Sequence, residues 1–157
     1  MTEVYLLRHA DAGDPGRWVG EDAERPLSTK GLRQAGRLAD LLRGLGWKPD
    51  AIVTSPRRRA AETAEIVASA IGVTPRVDGR LAGAFGPAEL AELLASEPTS
   101  KRWLLVGHDP DFTDLASMLT GAAIQLRKGS LIRLDLDETG SAAVVRWLLP
   151  PDAVPDR

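Results

Sequence analysis

The sequence predicts an α/β fold in which a mostly parallel sheet lies between two layers of helices. Three short apolar runs support this prediction, at residues 3–8 (EVYLLR), 50–54 (DAIVT) and 102–107 (RWLLVG). Near-continuous apolar runs of this length are typical of strands that are covered on both faces. Segments with helical spacing separate them, and this alternation is typical of a three-layer α/β/α sandwich with right-handed crossovers.

The segment after the first strand, residues 28–46, has the pattern of an amphipathic helix. Ser28 or Thr29 can cap its start, and Gly46 can end it. With the strands on either side, this helix predicts a β-α-β unit. The apolar positions at helical spacing are Leu32, Ala35, Ala39, Leu42 and Leu45.

The alternation continues through the second half of the chain. A second helix is expected over residues 58–72, with Ala60, Ala64, Val67 and Ile71 on one side, and a short strand near 74–77 follows it. Pro87 opens a third helical segment, since proline is tolerated at the first helical position, and a fourth segment starts at Asp109-Pro110. The final runs SLIRLDLD and AAVVRWLL flank a Glu-Thr-Gly turn, which predicts a C-terminal antiparallel hairpin and therefore a mixed sheet.

Length and composition predict one soluble domain. A chain of 157 residues buries about two-thirds of its unfolded surface, and we expect a single domain at 1–149 followed by a flexible, proline-rich tail at 150–157. The net charge of -2, from 20 basic and 22 acidic residues, argues against general binding to nucleic acid or to a membrane. The chain has no cysteine and no signal-peptide pattern, which favours a cytoplasmic location.

The chain has two histidines, and both follow directly after predicted strands. His9 comes after the first strand, and His108 comes after the strand at 102–107. Either residue alone would more often be a hydrogen-bonded structural histidine. Because ligands of open α/β sheets bind at the carboxyl ends of the strands, the two placements together predict a site that contains both imidazoles.

Arginines accompany the histidines at this predicted edge. Arg8 precedes His9, and Arg57, Arg58 and Arg59 follow the second strand. At least two of these three are expected on a solvated helix face, and one inward arginine is sufficient. Guanidinium groups donate a planar fork to phosphate oxygens, and a neutral imidazole can attack phosphorus. The pattern therefore predicts phosphoryl transfer, which depends mainly on positioning and electrostatics.

Three motifs in this order, LLRHAD, SPRRRAAETA and LLVGHDP, resemble those of the histidine phosphatase superfamily, in its short phosphohistidine phosphatase (SixA-like) branch. The likeness covers nearly the whole chain. It implies a phosphoglycerate mutase-like fold, in which His9 becomes phosphorylated while Arg8, Arg59 and His108 bind the phosphoryl oxygens. The stretch ERPLSTKG is similar to the segment before the first helix of that branch, which implies that Arg25 supports the substrate-binding pocket.

The sequence departs from the family pattern in two places. Ala10 stands where the family usually has glycine after the Arg-His pair, which leaves the geometry of that turn open. The segment DGRLAGAFGPAELAE contains Asp78 and Glu89, and neither matches the general acid of the mutase-like branches. An alkoxide leaving group needs a proton, whereas an imidazole or acyl leaving group departs more readily. This difference favours phosphohistidine or another energetic phosphate as the substrate.

Two other carboxylates are possible proton donors because each lies close in sequence to a catalytic candidate. Asp11 follows His9 by two residues, and Asp109 follows His108 directly. A simpler interpretation is available for each: Asp109 caps the fourth helix, and Asp11 is a loop carboxylate that orients an arginine.

The expected function is that of a phosphatase without metal or other cofactor, which acts on a phosphohistidine-bearing protein. Two alternatives stay open: a small phosphorylated metabolite or nucleotide as substrate, and a non-catalytic module that binds phosphate or a phosphoprotein. The chain has no HExxH or GxSxG motif, which argues against a metal hydrolase or a serine esterase. The Gly/Pro-rich loop at 11–27 is either a substrate-facing lid or a segment whose Trp18 plugs the sheet end. The oligomeric state is left open.

Overall fold

A mixed six-stranded sheet forms the middle layer of the protein. The computed structural model describes residues 1–156. The strands are β1 (Thr2–Arg8), β2 (Ala51–Thr54), β3 (Pro75–Val77), β4 (Arg102–Gly107), β5 (Leu131–Leu136) and β6 (Ala143–Leu149). They lie in the order β3-β2-β4-β1-β5-β6. The first four are parallel, whereas β5 pairs antiparallel with β1 and β6 pairs antiparallel with β5. The predicted mixed sheet with a C-terminal hairpin is confirmed.

Four α-helices cover the two faces of the sheet, and they are α1 (Thr29–Gly44), α2 (Arg58–Ile71), α3 (Pro87–Ala95) and α4 (Asp111–Thr120). Buried residues of α1 and α2 share one apolar cluster with the sheet, and those of α3 and α4 share another. The three-layer α/β/α sandwich is therefore confirmed. Among the helices of residues 1–156, none is both long enough and apolar enough to cross a bilayer.

The central strand β1 contributes to both apolar clusters. Val4 and Leu6 pack with α3 and α4, whereas Tyr5 and Leu7 pack with α1 and α2. All four side chains are at most 2% exposed. This burial on both faces explains why the sequence of β1 is continuously apolar rather than alternating between apolar and polar residues.

The buried face of α1 is rotated relative to the prediction. Leu32 and Leu45 are 47% and 70% exposed, so placing them on the apolar face was wrong, whereas Leu38 is buried. A Cβ at Gly31 would overlap the main-chain oxygen of Asp11. Because Gly31 packs directly against the backbone of Asp11, the next residue, Leu32, points away from this contact toward solvent. The buried positions are Gly31, Ala35, Leu38, Ala39 and Leu42.

The end of the chain packs further than predicted. Residues Pro151–Ala153 form a turn of 3-10 helix, and Pro151 within it is buried. Val154 is also buried, at 6% exposed. Since two apolar side chains are removed from water here, the packed part of the domain extends beyond the predicted boundary at residue 149. The flexibility of the tail stays a prediction, and residue 157 lies outside the described residues.

Candidate active site

His9 and His108 follow the neighbouring parallel strands β1 and β4. Arg8 is the register partner of Gly107, so the two strands end at the same level and the next residue of each leaves the sheet together. The ring centroids of the two histidines are 5.3 Å apart. Both residues are more than nine-tenths buried, at 6% and 8% exposed. The structure therefore brings the two imidazoles together at the carboxyl end of the sheet.

The orientation of the His9 ring leaves one nitrogen free. Its Nδ1 lies 2.7 Å from the main-chain oxygen of Ala10. Because a carbonyl oxygen only accepts, Nδ1 carries the hydrogen and donates it, and Nε2 keeps its lone pair. Burial lowers the pKa of His9 to about 4, and the positive charges of Arg59 and Arg8 act in the same direction. At neutral pH this residue is an uncharged imidazole whose Nε2 carries the lone pair.

The turn after His9 is fixed to α2 and accommodates the alanine. The N–H of Ala10 donates to Oγ1 of Thr63 (3.1 Å), which in turn donates to the main-chain oxygen of Arg59 (2.8 Å). Among the non-glycine residues from 1 to 156, only Ala84 has a positive φ. The methyl group of Ala10 is therefore buried without backbone strain, and the position does not require glycine.

A second loop, residues 127–129, packs on the backbone of the Arg-His pair. The N–H of Gly129 donates to the main-chain oxygens of Arg8 (3.1 Å) and His9 (2.9 Å). Lys128 lies beside it, and its charge contributes to the lowered pKa of His9. The Nζ of Lys128 is 3.7 Å from Oδ1 of Asp11. Sequence reasoning missed this lysine because it precedes β5, far along the chain from the recognised motifs.

His108 is held by the residue that follows β2. Its Nε2 lies 2.7 Å from Oγ of Ser55, a fully buried serine that also accepts the N–H of Arg57 (3.2 Å). The Nδ1 of His108 is buried and has no hydrogen-bond partner in the described chain. Burial, together with the charges of His9 and Arg59, lowers the pKa of His108 to about 3. Ser55 begins the SPRRRA motif, but the sequence did not identify it as a site residue.

Arg8 extends from the end of β1 to the start of α4. Its Nη1 donates to the main-chain oxygen of Leu126 (2.7 Å) and lies 3.5 Å from Oδ2 of Asp109. Asp109 also accepts the N–H and the hydroxyl of Thr113, at 3.1 and 2.6 Å. Asp109 therefore orients Arg8 and supports the first turn of α4, where Pro110 is the N-cap residue.

The three arginines at the start of α2 have three different environments. The Arg58 side chain is 51% exposed and pairs with Glu62 one turn away. Arg57 is less solvated than predicted, because its Nε donates to the main-chain oxygen of Ala82 (3.1 Å). Arg59 is 8% exposed, and its Nε has no partner within residues 1–156. Arg59 is the inward arginine, as the motif implied. The sequence predicts at least two of the three on a solvated helix face, but only Arg58 is more than half exposed.

Arg25 joins this group through the loop at 11–27. It is 8% exposed, and its Nη1 donates to the main-chain oxygen of Ala12 (2.7 Å). Its Nε donates to Oδ1 of Asp22 (3.1 Å), and Arg59 donates to the same carboxylate. Arg25 therefore lies beside Arg59 and supports the loop, whereas its direct contact with substrate stays a prediction. Sequence reasoning did not identify Asp22.

The remaining candidate carboxylates have structural contacts. Asp11 accepts the hydroxyl of Ser28 (2.6 Å) and the N–H of Gly13 (3.2 Å), and the serine contact is the main cause that lowers its pKa. Its partners are a serine and a lysine rather than the expected arginine. Asp78 binds Arg80 within its own turn, and Glu89 accepts the N–H of Gly86 at the start of α3. A carboxylate with a lowered pKa is a poor proton donor, so this geometry argues against Asp11 in that role.

Trp18 is partly exposed and does not act as a buried plug. Its Nε1 donates to the main-chain oxygen of Glu21 (2.9 Å) within the same loop. Together with Gly13 and Arg25, it lines an open cleft of about 260 Å³. The prediction that this loop closes as a lid is not tested by its geometry and stays a prediction.

Acidification is expected to destabilise the fold between about pH 6.5 and pH 4. The pKa of His9 is 6.5 in its ordinary state and about 4 in the folded protein, so between these values the unfolded chain binds a proton that the folded chain does not. The contribution is fully present above pH 6.5 and is lost as the pH falls toward 4, by on the order of 3 kcal/mol for this residue.

Urea unfolding at pH 7 and pH 4.5 measures this loss. His9→Gln is the control, because it removes one of the two buried imidazoles and is expected to show a smaller loss. Equal unfolding free energies of the wild type at both pH values would contradict the lowered pKa.

Known proteins resemble this chain in sequence and in fold. Residues 4–105 match the family model described as histidine phosphatase superfamily (branch 1). An uncharacterised protein of Picosynechococcus sp. is 36% identical over 170 residues, an alignment that spans 94% of this chain and 99% of that protein. The residues that match the family model include His9, which follows β1, and Arg59, which lies in the first turn of α2.

Two solved structures have the same fold. The protein histidine phosphatase SixA complexed with tungstate has a TM-score of 0.86 and 23% identity, and the match covers 98% of this chain and 100% of that chain. A mycobacterial glucosyl-3-phosphoglycerate phosphatase complexed with VO3 has a TM-score of 0.73 and 22% identity, covering 93% of this chain and 97% of that chain. The sequence motifs, the paired imidazoles and the family match thus lead to one assignment: the chain belongs to the histidine phosphatase superfamily, and its fold is that of the SixA-like members.

Proposed function

We propose that the protein hydrolyses phosphohistidine on a partner protein through a phosphorylated intermediate at His9. Members of the superfamily transfer phosphoryl groups by way of a histidine. The proposal adds the substrate, which is phosphohistidine on a protein. One observation carries it: His9 is buried and uncharged, and its Nδ1–H is held by the main-chain oxygen of Ala10 at 2.7 Å. This leaves Nε2 free to attack phosphorus.

In the first step, a bond forms between His9 Nε2 and phosphorus while the bond from phosphorus to the substrate imidazole breaks. The departing imidazole nitrogen takes up a proton from solvent. In the second step, water attacks phosphorus and the bond to Nε2 breaks, so that inorganic phosphate leaves and His9 regains its lone pair. Covalent catalysis of this kind divides one difficult hydrolysis into two easier steps.

Buried donors around His9 support an anionic substrate. The Nε atoms of Arg8 and Arg59 and the Nδ1 of His108 are buried without a hydrogen-bond partner among residues 1–156. An unpaired buried polar group costs about 1–3 kcal/mol, and phosphoryl oxygens would satisfy all three. When the Ser55 hydroxyl donates to Nε2 of His108, the ring hydrogen is on Nδ1, so that this nitrogen also acts as a donor.

The carboxylates near the site favour a leaving group that needs little protonation. The pKa values of Asp11 and Asp22 are lowered, mainly by hydrogen bonds from Ser28 and Arg25 respectively. Asp109 accepts two hydrogen bonds from Thr113. With their lowered pKa values, Asp11 and Asp22 have no proton available for an alkoxide at neutral pH. This supports a phosphoramidate, such as phosphohistidine, over a phosphate ester.

The cleft beside Trp18 supports a second candidate, a small phosphorylated metabolite hydrolysed by the same mechanism. It adjoins Arg25 and has a volume of about 260 Å³, which is close to the lower limit for small-molecule sites, about 300 Å³. The mycobacterial structure of the same fold is named as a phosphatase of glucosyl-3-phosphoglycerate. Both candidates use His9 in the same way and differ in the leaving group.

Phosphate release from a histidine-phosphorylated carrier protein, measured in parallel with p-nitrophenyl phosphate, tests the proposal. We expect rapid release from the carrier and slow hydrolysis of the ester. Preference for the ester would support the small-molecule candidate. No release from either substrate, combined with binding of inorganic phosphate, would support a non-catalytic binding module.

A further inference from the structure

Asp22 lies at the centre of the arginine group, although no motif marks it. Its Oδ1 accepts from Nε of Arg25 at 3.1 Å, and its Oδ2 accepts from Nη2 of Arg59 at 3.1 Å and from Nη1 of Arg57 at 3.3 Å. Its main-chain oxygen accepts from Nη1 of Arg59 at 3.0 Å. One residue therefore holds three guanidinium groups.

Arg25 and Arg59 are buried, so the Asp22 carboxylate supplies neighbouring negative charge that water cannot supply. The side chains of Arg25 and Arg59 are each 9% exposed, whereas that of Asp22 is 49% exposed. Burial lowers the pKa of Arg59, the charges of Arg25 and Arg57 lower it further, and the charge of Asp22 raises it. Without this carboxylate, the buried guanidinium groups would repel each other, and Arg59 would lose its Oδ2 acceptor while it keeps the main-chain oxygen of Asp22. Because the carboxylate is half exposed while the two arginines are buried, its removal affects mainly the orientation and the mutual repulsion of the guanidinium groups.

The same contacts join two separate parts of the chain. Asp22 begins a 3-10 turn, Asp22–Glu24, in the loop at 11–27, whereas Arg57 is the N-cap residue of α2. Arg25 continues the connection to the segment after His9, since its Nη1 donates to the main-chain oxygen of Ala12. The loop is therefore fixed directly to the start of α2.

We propose that Asp22 is a positioning residue for phosphoryl transfer, which holds the guanidinium groups of Arg59 and Arg25 in the orientation that the transition state requires. This inference rests on the proposed function, because that function assigns Arg59 to the phosphoryl oxygens. Donors that are already oriented stabilise developing charge without reorganisation during the reaction. The side-chain hydrogen bonds of Asp22 go to arginines, so it acts through these groups.

The proposal predicts opposite effects on turnover and on ground-state binding. Removal of the Asp22 charge leaves the group of arginines more positive, so the affinity for inorganic phosphate is expected to be kept or increased. Turnover is expected to fall because the donors lose their orientation. A competing interpretation is that Asp22 is an anion that substrate must displace, and in that case its removal would increase turnover.

Asp22→Asn tests the proposal because it keeps the size of the side chain and removes its charge. We expect kcat to fall at least about tenfold, while the inhibition constant for inorganic phosphate stays within about twofold of wild type or becomes smaller. Glu24→Gln is the matched control, since Glu24 is an exposed acidic residue of the same 3-10 turn. It is expected to keep the wild-type kcat.

Asp22→Glu is a second variant that keeps the charge and moves the carboxylate by one methylene group. It is also expected to lose kcat without weaker phosphate inhibition, so it decides the question if Asp22→Asn does not fold by circular dichroism. Unchanged or increased kcat in a folded variant would overturn the positioning role. An equal loss of kcat and phosphate affinity would also overturn it. Inactive wild-type protein on both substrates would instead refute the proposed function, and the positioning role with it.

Discussion

His9→Ala is expected to reduce phosphate release from the histidine-phosphorylated carrier by at least about a thousandfold, or ~4 kcal/mol in the barrier. The substitution removes Nε2, the only proposed nucleophile, and leaves the arginines and His108 in place. The fold is expected to persist because strands β1 and β4 do not depend on this ring. Release kinetics measure the loss, and circular dichroism checks the fold.

His108→Ala is the informative comparison for this experiment. It is also expected to be severely slowed, but it keeps Nε2 of His9 and should still form a small amount of acid-labile phosphoenzyme. His9→Ala should form none. Residual turnover of His9→Ala within about tenfold of wild type, roughly 1.4 kcal/mol, would refute the nucleophile assignment.

Arg59→Ala is expected to lower kcat by about a hundredfold to a thousandfold, the usual effect of removing one donor to a developing negative charge. Arg59 is buried beside both histidines, and its charge contributes to the lowered pKa of each. Steady-state kinetics on the carrier protein measure the change. The reason for the large effect is that Arg59 is the buried arginine whose charge acts on both histidines.

Arg58→Ala is the matched control, because it removes the adjacent arginine from the same helical turn. Its side chain is 51% exposed and pairs with Glu62, and exposed pairs of this kind contribute only about 0.3–0.5 kcal/mol. We expect kcat within about twofold of wild type. Similar losses in both variants would show that the charge of the helix start, rather than the position of Arg59, supports catalysis.

The residues that the sequence identified are those whose position depends on the strands. Since parallel strands end at one edge, the residues after β1 and β4 could be expected to meet, and the His9 and His108 rings are indeed 5.3 Å apart. Arg59 could be selected from its neighbours because it directly precedes Ala60 in the motif. The meeting of the two histidines requires only the strand positions and one topological rule, whereas the choice of Arg59 depends on the resemblance to the family motif.

The residues that the sequence missed depend on how loops fold back. Asp22 contacts Arg57 and Arg59, which lie more than thirty residues further along the chain, and no local pattern reports such a contact. Lys128 is brought to His9 by a turn that packs on the backbone of β1. The rotated face of α1 has a similar cause, because helical spacing alone does not show that Gly31 lies against the loop after His9.

Because the side chains of β1 alternate strictly between two apolar clusters, the number of residues in this strand constrains how the sequence can evolve. A deletion of one residue in the strand would exchange Val4 and Leu6 with Tyr5 and Leu7, and it would also turn the imidazole of His9 to the opposite face. The register of β1 therefore fixes both the packing of its buried side chains and the orientation of His9. The length of β1 is therefore closed to variation, whereas surface loops such as the one at 11–27 tolerate insertions.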